Sequence, residues 1–111
     1  MQSFRDILFD YDKSNIRASE SSKITDIVNY MTQNPSASLR IDGYADPRGT
    51  NQYNMVLSQK RVNTVRDALV KAGVAQSRIA PSHYGEARPK CTEKTEACWQ
   101  LDRRVEVFVS R

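Results

Sequence analysis

Asp42-Gly-Tyr-Ala-Asp46-Pro-Arg-Gly-Thr50, followed at helical spacing by Asn54, Leu57 and Arg61, is the stretch on which the reading of this chain turns. Before it, Leu39, Ile41, Gly43 and Ala45 alternate with Arg40, Asp42 and Tyr44, which predicts a half-buried strand over 38–45. Pro47 and Gly49 then force a loop. Met55, Val62, Val65, Leu69 and Ala72 form a core stripe for a helix over about 51–72, stopped by Gly73. Strand, loop and helix place the Asp46 carboxylate in the loop and the Arg61 guanidinium on the helix. A ligand carrying an ammonium and a carboxylate on one carbon needs such a pair, because each charge loses hydration on binding and must meet an opposite charge with good geometry. Without such a ligand, Asp46 reads as a helix cap and Arg61 as solvated surface.

Working outward, residues 4–9 read as a first strand with Ile7 and Phe9 on one face, ending in the turn-rich run Asp10-Tyr-Asp-Lys-Ser-Asn15. Ile24, Ile27, Val28 and Met31 recur at helical spacing, which predicts a helix over about 19–33 with Ser19 as its cap and Pro35 beyond its end. Residues 78–84 read as a third strand, and 103–109, with Val105, Val107 and Val109 alternating, as a fourth. Residues 85–102 between them read as an irregular loop. The order βαβαββ points to an α/β (α+β two-layer) sandwich, with two main helices on one face of a four-stranded mixed sheet and right-handed crossovers where strands run parallel.

At 111 residues, with 39% hydrophobic and 27% charged residues, the chain suits one ordered domain over 1–111. The net charge of +4 invites a nucleic-acid reading. Acidic and basic residues are interspersed from Glu86 onward, so no single-sign stripe forms and no nucleic-acid partner is expected. No apolar run approaches the roughly 20 residues of a membrane-spanning helix, and the start lacks the apolar core of a signal peptide. Cys91 and Cys98 are too few for a structural zinc site and lack redox spacing. A local disulfide is the preferred reading and implies an oxidising compartment; two free thiols in a surface loop is the alternative.

The sequence offers no convincing catalytic set: no nucleophile with its base, no metal-ligand cluster and no converging acid and base in an environment that would raise a carboxyl pKa. Asp10, Asp12 and Asn15 fail the spacing of a calcium loop, and Asp12 reads as a turn-capping residue. Alternation sends Arg103 and Arg104 to opposite faces, so at most one can serve a pocket; an internal ion pair with Glu106 or Asp102 is the simpler role. His83 reads as structural or exposed, and Trp99 as packing for the long loop. The expectation is a binding domain without cofactor or metal.

The pieces Phe9-Asp-Tyr-Asp-Lys-Ser-Asn-Ile16, Gly43-Tyr-Ala-Asp-Pro-Arg-Gly-Thr50, Tyr53-Asn54, Leu57-Ser58, Arg61, Gly73-Val74, Tyr84-Gly85-Glu86, Pro89 and Arg103-Arg-Val-Glu106 resemble the OmpA-like C-terminal domain family, including its peptidoglycan-associated lipoprotein branch. The resemblance runs from about 7 to 109 in the family's order. It implies a non-catalytic, periplasmic domain, associated with the outer membrane of a Gram-negative cell through regions outside this chain, and a fragment of a longer exported protein. The implied ligand is the meso-diaminopimelate of the peptidoglycan stem peptide. The family's clamp falls on Asp46 and Arg61, with Asn54 adding hydrogen bonds, Asp10 matching the polar residue after the first strand, and Leu57 and the amides of Tyr44 and Ala45 completing the pocket. Tyr44 stands where the family commonly has His, and Asp102 where it often has Asn, poised to pair with Arg103 or Arg104. The Cys91–Cys98 loop is a branch feature. Two expectations follow: Arg61→Ala removes stem-peptide binding with the fold intact, and reduction of the cysteines loosens the loop without loss of ligand. The alternative function is a periplasmic protein-interaction module that does not touch the wall.

Overall fold

The computed structural model describes residues 2–111. The strands are β1 (Gln2–Ser3), β2 (Ile7–Leu8), β3 (Ser38–Gly43), β4 (Ile79–His83) and β5 (Arg104–Ser110), and the helices α1 (Ser21–Gln33), α2 (Asn51–Lys71) and α3 (Glu96–Asp102). Short 3-10 turns precede α1 at Ala18–Glu20 and β4 at Gln76–Arg78. The sheet order is β1-β5-β3-β4, with β2 also on β5; β3 runs parallel to β4 and antiparallel to β5. The mixed sheet and two-layer α/β arrangement match the sequence expectation.

The expected first strand is interrupted. Ser3 pairs with Phe108 while Ile7 pairs with Val105, so four steps on one side oppose three on the other. One extra residue in that interval is a bulge, and it separates β1 from β2. Beyond it, Ile7 and Phe9 are both fully buried on the core face, as their spacing requires. They join Ile24, Ile27 and Met31 of α1, Leu39 and Ile41 of β3, Val62, Val65 and Leu69 of α2, and Val105, Val107 and Val109 of β5 in one cluster. Met55 and Ala72 of the expected α2 stripe fall outside it; Met55 lies instead against Gly85.

Ser19 does not cap α1. Glu20 holds the cap position, and its buried carboxylate accepts from the Leu8 amide at 2.7 Å and from Lys23 Nζ at 2.8 Å, tying α1 to β2. On the sheet face away from the helices, Asp42 and Tyr44 are only 1% exposed, not half-buried. Tyr44 stacks on Tyr84 at 5.4 Å, and the Arg104 guanidinium lies 3.8 Å above its ring. Arg104 in turn donates to the Arg88 carbonyl, which draws the 85–102 segment across that end of the sheet. The segment is also less irregular than its composition suggests, because α3 forms in it with Thr95 as a side-chain cap on Cys98.

Gly43 sets how closely α2 approaches β3. A Cβ at this position would lie 2.3 Å from the Ser58 carbonyl oxygen, a backbone atom that cannot turn aside. Gly43→Ala should therefore push α2 off the sheet and lower stability by roughly 2–3 kcal/mol in urea titrations.

Candidate functional site

The end of β3 and the start of α2 are joined by a loop whose conformation depends on short-range polar contacts. Asp46 Oδ1 accepts from the Arg48 amide at 3.0 Å, a side-chain-closed turn, and Gly49 then adopts φ +89°. Thr50, not Asp46, caps α2 by accepting from the Tyr53 amide at 3.1 Å. Asn54, one turn into the helix, donates to the Arg48 carbonyl at 2.9 Å and holds the loop down.

Asp46 and Arg61 both line a cavity of about 50 Å3, with Ala45, Asn54, Leu57, Tyr11, Asp12, Arg48, Gly49 and Tyr53. Arg61 is fully buried. Its Nε donates to the Lys13 carbonyl at 2.8 Å, Nη1 to Tyr44 O at 3.1 Å and Nη2 to Asp10 O at 3.2 Å. A guanidinium carries five N–H donors, so two remain beyond these three bonds. Burial and the nearby Arg103 charge pull the Arg61 pKa down to about 10, against the attraction of Asp46 and Asp12, and the group stays charged at neutral pH.

Asp46 is 5% exposed and carries four donors. Besides the Arg48 amide, Arg48 Nε reaches Oδ1 at 3.2 Å, Arg48 Nη2 reaches Oδ2 at 2.9 Å, and Arg103 Nη1 reaches Oδ2 at 3.3 Å. Burial alone would raise its pKa, but the hydrogen bonds and charge of Arg48, with the bond from Arg103, outweigh it and hold the carboxyl below its ordinary value. The Arg48 guanidinium lies between two rings, 4.1 Å from Tyr11 and 4.0 Å from Trp99. Glu96 of α3 closes the arrangement, accepting from Arg103 at 2.6 Å and standing 3.8 Å from Arg48. Tyr53 donates its hydroxyl to Asp12 across the mouth of the cavity.

Five of the seven residues expected at the site thus line one cavity: Ala45, Asp46, Asn54, Leu57 and Arg61. Asp10 and Tyr44 contribute only their carbonyls to Arg61. The Asp10 carboxylate pairs with Arg17 at 3.0 Å, and the Tyr44 ring is buried on the opposite face. The amides expected to complete the pocket are already used, Tyr44 N on Arg104 O and Ala45 N on Gly85 O. The Asp102 carboxylate pairs with neither arginine; it accepts from the Lys90 and Cys91 amides and so braces the loop, while the Asp102 carbonyl accepts from Arg104 Nη1 at 3.3 Å. Arg103 is the arginine of the pair that reaches the site, whereas Arg104 pairs with Glu106 at 2.9 Å. The sequence reasoning missed Arg48, Arg103, Tyr11 and the Tyr53–Asp12 bridge. Only Arg48 carried a local signal, its two-residue spacing from Asp46. Cys91 and Cys98 form a disulfide, which ties the loop to α3, the helix bearing Glu96 and Trp99.

The OmpA family model matches residues 8–100, which include the whole Asp46 loop and Arg61. The chain belongs to the OmpA family. As a member of it the domain is not an enzyme. Over 104 residues the chain is 39% identical to outer membrane porin F of Pseudomonas fluorescens, covering 94% of this chain and 32% of that protein. It is 37% identical over 99 residues to the peptidoglycan-associated lipoprotein of Brucella melitensis, covering 89% of this chain and 59% of the relative. The chain thus spans about a third of the first of these curated relatives and about three-fifths of the second. Among solved structures, the peptidoglycan-associated lipoprotein of Burkholderia pseudomallei superposes with a TM-score of 0.91 at 29% identity, over 96% of this chain and 90% of that one. The C-terminal domain of Helicobacter pylori MotB gives 0.87 at 20% identity, over 96% and 84%, and shares the OmpA-like fold.

The depressed Asp46 pKa fixes the sign of a pH effect. Its contribution to stability is full above the unfolded carboxyl value near 3.8 and is lost as pH falls through the lower folded value. Asp46→Asn should cost roughly 1–3 kcal/mol at pH 7, and the gap to the wild type should narrow in chemical denaturation as the pH falls below the ordinary carboxyl value near 3.8. The structure also revises the expectation for Arg61→Ala. Removing a fully buried guanidinium orphans three carbonyls, so this variant should lose roughly 2–4 kcal/mol of fold stability, read by thermal melting.

Proposed function

We propose that the domain binds peptidoglycan noncovalently by gripping the zwitterionic end of diaminopimelate in the stem peptide. In this reading it serves, in the periplasm and as part of a longer exported protein, to anchor the outer membrane or an envelope complex to the wall. The observation that carries the reading is the placement of Asp46 and Arg61 on one cavity, with two guanidinium donors of Arg61 still uncommitted. The relatives named peptidoglycan-associated lipoprotein support it. Asp46 takes the ammonium, and Arg61 takes the carboxylate on the same carbon. Arg61 is held rigid by backbone carbonyls, so little rotamer freedom is lost on binding.

Diaminopimelate differs from lysine by the carboxylate at the side-chain end. Lysine would leave the Arg61 donors without that partner, a penalty on the order of 1–3 kcal/mol. Asn54 and Leu57 shape the cavity wall on α2, and Tyr11 with Tyr53 frame its mouth.

The domain should pull down with purified sacculi, and free diaminopimelate should compete. Arg61→Lys keeps the charge but loses the planar fork, and by calorimetry it should weaken binding of a diaminopimelate peptide roughly tenfold or more. Retention on sacculi that survives both the competitor and Arg61→Lys would point instead to a protein-interaction module.

A further inference from the structure

The contact between Arg48 and Asp46 lies at the centre of the site and takes no part in the grip of Asp46 and Arg61 on a zwitterion. Both oxygens of Asp46 already accept two hydrogen bonds each, three of the four from Arg48. A carboxylate offers about four lone-pair positions, so an incoming ammonium meets an acceptor with no free direction. Arg103 cannot give way, because it is 2% exposed and anchored to the Phe9 carbonyl at 2.8 Å and to Glu96 at 2.6 Å. The Arg48 amide is fixed by the turn. The Arg48 side chain is different: it is 32% exposed, it lines the cavity, and its plane lies between Tyr11 and Trp99.

Resting on the diaminopimelate reading, we propose that Arg48 is the pocket's own placeholder cation, and that ligand binding is an exchange in which the ligand ammonium takes Asp46 from the Arg48 side chain. Two bonds to Asp46 are released, from Nε and Nη2, and the ammonium replaces them. The freed guanidinium, already on the cavity wall, faces the ligand carboxylate beside Arg61. Asp46 and Arg48 both keep an opposite-charge partner only when the ligand carries both charges. A simple alkylammonium displaces Arg48 and returns nothing to it; a simple carboxylate has no means of displacing it. Arg48 thereby sharpens selection for an amino-acid centre, which the Asp46–Arg61 pair alone would enforce less strictly. Tyr11, Trp99 and Glu96 hold the guanidinium near its post in either position.

The test compares wild type, Arg48→Ala and Arg61→Lys by calorimetry against two probes, free diaminopimelate and n-butylammonium. The partial exposure of Arg48 makes the alanine variant tolerable to the fold, and thermal melting checks this. In Arg48→Ala, butylammonium binding should strengthen by roughly three- to tenfold. The preference for diaminopimelate over butylammonium should fall by a similar factor. Diaminopimelate binding that depends on Arg61, together with butylammonium affinity equal or weaker in Arg48→Ala, overturns the exchange and leaves the diaminopimelate reading standing. Absence of diaminopimelate binding in both wild type and Arg48→Ala overturns both.

Discussion

The burial of Arg61 is the constraint on which the rest of this domain hangs. A guanidinium with no exposed surface sits on α2, and its donors reach the carbonyls of Asp10, Lys13 and Tyr44. Those carbonyls belong to the turn after β2 and to the end of β3, two segments that share no backbone pairing. One charged side chain therefore fixes the relative position of three segments. Burial strips water from this cation and, with the nearby Arg103 charge, lowers its pKa, while its neutral carbonyl partners leave a net positive charge beside the cavity that favours an anion.

The opposite pole is built on a different principle. Asp46 is saturated by donors from its own loop and from Arg103, the residue between α3 and the final strand, so its charge is held by neighbours that are themselves cationic. Arg103 is shared with Glu96, and Arg48 is shared among Asp46, Glu96 and two aromatic rings. The site is thus an alternating array of acids and bases. The Cys91–Cys98 bridge constrains the segment that supplies Glu96 and Trp99, so the disulfide loop belongs to the support of the pocket instead of standing apart from it.

Close approach of the two layers makes this array possible. Gly43 lets the Ser58 turn of α2 come against β3, and Ser58 Oγ accepts from the Gly85 amide at 2.9 Å. A wider separation would carry Arg61 away from Tyr44 and the loop after β2.

By itself the sequence determined the two-layer mixed fold, the strand-loop-helix that carries Asp46 and Arg61, and the core faces of α1, β3 and β5. These rest on periodicity and turn chemistry, which act over a few residues and are written directly in the order of side chains. Met55 misled because a helix stripe does not say which end of it meets the sheet, and Asp42 and Tyr44 because alternation cannot show that a distant segment will cover the outer face. Only the tertiary structure decided that Arg103 converges on Asp46, that Trp99 lies over Arg48, and that Tyr53 reaches Asp12. Those partners are as far as 57 residues apart in the chain. Their pairing follows from which backbone segments the packed core brings within hydrogen-bond range, a property that no local pattern of residues encodes.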